Sequence, residues 1–147
     1  MFDDLFKRLI QPNPAPLPDA DARLALTALL VRIARSDNDY APRERALIDQ
    51  IVQQRYGLDP AAAKKLRADA ESVESEAPDT VRFTRAIKDA VPYDDRLDVI
   101  QALWQIVLAD GTRADEEDAL LRLVASLLGV SDTDSAMARR RVEAQYN

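Results

Sequence analysis

Residues 33–51 read IARSDNDYAPRERALIDQI, and residues 106–124 read IVLADGTRADEEDALLRLV. Laid over one another they match at a constant separation of 73 residues (110 − 37, 117 − 44). Asp37 answers Asp110, Glu44 answers Glu117, and Ala41, Ala46 and Leu47 answer Ala114, Ala119 and Leu120. Each stretch reads as the end of a buried helix, an acidic turn and the start of an amphipathic helix. Each is followed by a glycine and an apolar residue, Gly57-Leu58 and Gly129-Val130, the signature of a left-handed helix cap. The chain is therefore a tandem duplication of a helical hairpin, its copies joined by the two helices between them.

Outside these stretches the same period holds. Apolar residues recur at spacings of three and four, and only three Gly occur in 147 residues, so the pattern predicts an all-α fold with no strands. Seven main helices form a compact bundle over residues 19–147, preceded by a short amphipathic helix and a proline-rich linker over 1–18. The N-terminal segment places Phe2, Leu5, Phe6 and Leu9 on one face before Pro12, Pro14, Pro16 and Pro18 end it. Too short to stand alone, that face is expected to dock on protein rather than on lipid, because Asp3 and Asp4 cancel Lys7 and Arg8.

The main helices are expected from about Asp19 to Ser36, from Pro42 to the Gly57 cap, and from Pro60 behind an Asp59 N-cap. They continue around Phe83, Ile87 and Val91, from about Asp94 to Ala109, from Asp115 to the Gly129 cap, and from Asp132. The helix of Trp104 is apolar on nearly every side, which assigns it to the centre and makes Trp104 a core anchor. The last helix is read as finishing in Arg139, Arg140 and Arg141, solvated and compatible with a helix C-terminal dipole.

Composition narrows the chemistry. The chain has no Cys and no His, so disulfides, thiolate nucleophiles and the commonest general base and metal ligand are absent. No nucleophile elbow or glycine-rich phosphate loop occurs. With 20 basic and 26 acidic residues the net charge is −6, which repels nucleic acid and anionic lipid and favours cations and basic partners. No apolar run is long enough to span a membrane and no basic n-region opens the chain, so a cytoplasmic location is expected.

The candidate site is the duplicated acidic turn. Asp37 and Asp110 stand near helix C-termini, where a carboxylate opposes the dipole, and a hard divalent cation, Ca²⁺ or Mg²⁺, would compensate it. Glu44 and Glu117 have a simpler reading as well, since a carboxylate in a first helical turn caps exposed N–H groups. The turn is not an EF-hand: counting from Asp37, the fifth, sixth and twelfth loop positions hold Ala41, Pro42 and Ile48.

At these residues the chain resembles the TerB family of bacterial tellurite-resistance and stress-response proteins, in its proteobacterial TerB-like branch. The resemblance rests on Leu108-Ala109-Asp110-Gly111 with Glu117, on Asp37-Asn38 with Glu44, on Phe83-Thr84-Arg85, and on Arg96 opening the Trp104 helix. It implies a two-repeat helical fold shared with the N-terminal region of DnaJ-like membrane-anchored co-chaperones. It also implies divalent metal held by Asp37, Glu44, Asp110 and Glu117. Further, it implies a role with protein partners near the inner membrane, with a homodimer left open. The expectation is thus a non-enzymatic domain that binds cation and acts through a partner. The alternatives are an interaction module whose carboxylates only cap helices and, less favoured, a metal-dependent hydrolase.

Overall fold

The helix boundaries fall where proline, glycine and the side-chain caps put them. The computed structural model describes residues 5, 19–35, 40–77, 79–109 and 115–146, the side chains of 19, 109, 115–118 and 146 excepted. Among these residues the order is α1 (Asp19–Ala34), α2 (Pro42–Tyr56), α3 (Pro60–Glu76), α4 (Thr80–Ala90), α5 (Tyr93–Ala109), α6 (Asp115–Leu127) and α7 (Asp132–Tyr146), with no strand. The expected all-α class holds.

Pro42 opens α2, and Gly57 ends it at φ 64, with the N–H groups of Gly57 and Leu58 both returning to the Gln53 carbonyl. Gly129 ends α6 in the same way at φ 73, and Val130 N–H bonds Ala125 O at 2.9 Å. Asp59 then caps α3 by accepting from Ala62 N–H at 2.7 Å, and Ser131 caps α7 by accepting from Asp134 N–H at 3.1 Å.

Two helices share the centre. α5 buries Val99, Ile100, Ala102, Leu103, Trp104 and Val107, as its all-round apolar sequence predicts. α1 is its equal: every residue from Ala25 to Ala34 except Arg32 is buried, including Thr27, whose hydroxyl donates to the Arg23 carbonyl at 2.7 Å. The two pack on each other, and each packs most extensively on the helix two places further along, α1 on α3 and α5 on α7. The repeat is therefore a three-helix unit, α1–α3 and α5–α7. The amphipathic α4 connects the units and buries Phe83, Thr84, Ile87 and Ala90.

The third helix of each unit corresponds at a separation of 72 rather than 73 (131 − 59, 139 − 67), because α6 reaches its glycine cap one residue sooner. At that register Ala63 matches Ser135, Ala70 matches Val142, and the pair Arg67 and Glu71 matches Arg139 and Glu143.

One expectation is corrected. α7 does not finish in its arginines; it runs on to Tyr146, and no basic residue lies in its last turn. Arg139 is folded over the Trp104 ring at 5.2 Å and paired with Glu143 at 2.7 Å, because its position faces the core side of the helix while Arg140 and Arg141 are exposed. Of the N-terminal segment only Leu5 is described; it is helical and buried with the core cluster, and Phe2, Phe6, Leu9 and the proline linker lie outside the described residues.

Candidate functional site

The four predicted ligands divide between what is described and what is not. Asp37 and Asp110, with Asn38 and Gly111 beside them, lie outside the described residues. Glu117 is in the first turn of α6, its side chain not described. Glu44 is in the first turn of α2 and half-buried, with its Oε2 withdrawn from solvent. Ala41, the N-cap residue of α2, contributes no side-chain cap. Among the described residues no group of three or more acidic side chains is placed to hold a metal ion. The donor chemistry fits a hard cation: all four candidates offer carboxylate oxygens, and the chain has neither thiolate nor imidazole to select zinc.

What the structure builds around the first turn is a network of arginines and carboxylates that sequence reasoning did not find. Tyr40, the residue that follows the turn, lies between two guanidinium groups, Arg35 from the end of α1 at 5.1 Å and Arg45 from α2 at 5.2 Å from its ring centroid. Arg45 also donates to the Tyr40 carbonyl at 3.2 Å. Burial pushes the Tyr40 hydroxyl well above its usual range, and the neighbouring Glu71 carboxylate adds to the rise.

Beneath it Arg67 of α3 donates from Nε to Asp49 Oδ1 at 2.6 Å and from Nη1 to Glu71 at 3.3 Å. Burial works against the Arg67 charge, but the hydrogen bond and charge of Asp49 outweigh it and hold its pKa above the usual value. On the far side Arg32 of α1 and Arg35 just past its end both reach Glu74 of α3, at 3.5 and 3.1 Å. These pairs tie α1, α2 and α3 together below the turn. The one signal in the sequence was the Arg-x-x-x-Glu spacing present in α3 and again in α7.

The second unit differs at the same level. Arg122 of α6 stands where α2 has Asp49, and a cavity of about 330 Å³ opens there, lined by Trp104, Arg122, Ala125, Asp132, Ser135 and Arg139. The Trp104 indole N–H donates to Ser135 Oγ at 3.2 Å. A smaller cavity of about 250 Å³ between α1, α2 and α5 carries balanced charges: Arg23 lies over the Tyr56 ring at 4.8 Å and Arg55 meets Asp98 at 3.7 Å. No helix among the described residues is long and apolar enough to cross a membrane.

The model of one protein family, described as "Tellurite resistance protein TerB", matches residues 23–140, which is most of the chain and takes in α2 to α6 whole. No curated protein and no solved structure matches the chain.

Proposed function

The chain belongs to the TerB family, and from that membership we propose that it is a non-enzymatic helical domain that binds a divalent cation at its acidic turns and transmits the bound state to a protein partner. The observation that carries this reading is the duplication. Two turns hold an Asp and a Glu in the same register, and each Glu falls in the first turn of the helix that follows. Asp37 with Glu44, and Asp110 with Glu117, would hold the ion, and the oxygen-only donor set favours Ca²⁺ or Mg²⁺. Bound there, the cation supplies the positive charge that two carboxylates flanking one short turn otherwise lack. The Arg32, Arg35 and Glu74 pairs support the reading, because they fix the α1 side of the first turn against α3. A partner at the inner membrane would bring the domain to that surface from the cytoplasm.

Isothermal calorimetry with Ca²⁺ and Mg²⁺ tests this. Binding heat is expected for the unaltered chain, weakened by Asp110→Asn with Glu117→Gln while helicity is kept. Saturating cation is expected to raise the melting temperature, by about 2.7 kcal/mol of added stability at a hundredfold excess over Kd. A silent titration to millimolar cation would overturn the cation reading and leave the carboxylates as helix caps. Turnover of a generic phosphate ester by the cation-loaded chain would overturn the non-enzymatic one.

A further inference from the structure

The two units answer each other closely enough for the first to show what the second lacks. In α3, Arg67 is held on one side by its helix neighbour Glu71 and on the other by the Asp49 carboxylate at 2.6 Å. In α7, the matching Arg139 keeps the helix neighbour, Glu143 at 2.7 Å, but the position of Asp49 is Arg122. The carboxylate is gone and a second guanidinium stands in its place. Arg122 is exposed and has no ion-pair partner among the described residues. A cavity of about 330 Å³ is bordered by these two arginines, the Trp104 indole and Ser135.

We propose that this cavity binds a carboxylate group, which takes between Arg122 and Arg139 the place that the Asp49 carboxylate takes beside Arg67. Three features beyond charge fit that ligand. A guanidinium matches a carboxylate geometrically as well as electrically, and two of them border one cavity. Ser135 accepts from the Trp104 indole, which leaves its own O–H as a further donor for a ligand oxygen. Trp104 and Ala125, both buried, give an apolar floor for the carbon chain that carries the carboxylate. Asp132 at the exposed rim and Glu143 on Arg139 balance the two arginines, so the surroundings of the cavity are neutral in a chain whose net charge is −6. The capture is therefore local, made by contact rather than by long-range attraction. A free dicarboxylate and an acidic side chain of a partner present the same group to the cavity. The site shares no residue with the acidic turns, and its occupancy does not depend on cation.

Trp104 is the only Trp in the chain, so its fluorescence and its indole N–H resonance report on this cavity without background. The full chain would be titrated with succinate, with a terminally blocked peptide carrying one Glu, and with inorganic phosphate. A saturable change in both Trp104 signals is expected with succinate or with the peptide, and the one that binds identifies the source. Arg122→Asp should weaken that binding by about tenfold or more, the scale of one lost charge-assisted hydrogen bond. The same change should raise the melting temperature by closing on Arg139 as Asp49 closes on Arg67. Arg122→Gln, which removes the charge at an exposed position and leaves the fold alone, should weaken binding to a similar degree. The proposal is overturned if neither carboxylate saturates the Trp104 signals, if phosphate binds and the carboxylates do not, or if both Arg122 variants bind as the unaltered chain does.

Discussion

Seven residues into its second helix the first unit has Asp49, and the second has Arg122. The backbones around these positions are alike, with the same glycine cap behind, the same short side-chain N-cap next, and the same Arg and Glu one turn apart on the third helix. Their surroundings nevertheless differ, a closed ion-pair network about Asp49 in the first unit and an open cavity beside Arg122 in the second. Duplication preserves what local geometry requires, namely caps and apolar stripes. It leaves free what only a cross-helix partner enforces, so the two units can share a fold and differ in what they present to a ligand.

Substitutions at those two positions should show the largest difference between the units. Asp49→Ala leaves the Arg67 guanidinium, only 17% exposed, with Glu71 alone, and should cost about 2 kcal/mol. Arg122→Ala, at an exposed position, should stay within about 0.5 kcal/mol of the parent. Urea unfolding of both variants measures the difference, and equal losses would show that the two sites are energetically equivalent after all.

A smaller contrast is expected at the two caps. Gly57→Ala and Gly129→Ala each place a Cβ on a left-handed residue at about 1–2 kcal/mol. At Gly57 the new atom meets nothing within 4 Å, whereas at Gly129 it comes within 2.9 Å of Lys88 Cε and 3.1 Å of Arg96 Nη1. The end of Lys88 moves cheaply. Arg96 does not, because it donates to the carbonyls of both Val91 and Leu128 and so ties α6 to the start of α5. Gly129→Ala should therefore lower the melting temperature more than Gly57→Ala, and the reverse order would show that Arg96 is not what fixes the second cap.

The smallest effect belongs to Tyr40, whose position in the second unit is Arg113. Burial, with Glu71 beside it, raises the folded-state pKa of the hydroxyl above its ordinary 10.0. The folded chain then keeps that proton at pH values where the unfolded chain loses it. The stability involved is fully present below about pH 10 and is lost as pH rises from there toward the folded-state value. Tyr40→Phe should flatten this alkaline loss, seen as a reduced drop in urea midpoint between about pH 8 and pH 11. Tyr56 and Tyr93 are raised as well, by burial and by the Asp134 hydrogen bond respectively, and contribute to the alkaline loss that remains.

Much of the fold could be read directly. Pro42, Gly57, Asp59, Pro60 and Gly129 mark helix ends by chemistry that acts within one turn, and all of them mark ends in the structure. The Trp104 helix announced its burial by having no polar face. α1 did not, because Arg23, Thr27 and Arg32 interrupt its apolar run, and only packing shows Thr27 buried with its hydroxyl turned back on the helix. The arginine run misled for a related reason: three consecutive residues of a helix point in three directions, so Arg139 could stack on Trp104 while its neighbours faced water.

The helical class, the cap positions, the duplication and an oxygen-only set of candidate ligands are legible without a structure, since each depends on residue type and on spacing within one or two turns. The pairing of α1 with α3 and of α5 with α7, the closing of Arg67 on Asp49 and the cavity bordered by Arg139 and Arg122 emerge only when the helices pack. Those outcomes depend on which faces of distant helices cross. Asp49 and Arg67 lie 18 residues apart and Trp104 and Ser135 lie 31 apart, so each pair is brought together by the burial of two apolar stripes and not by any pattern within a single helix.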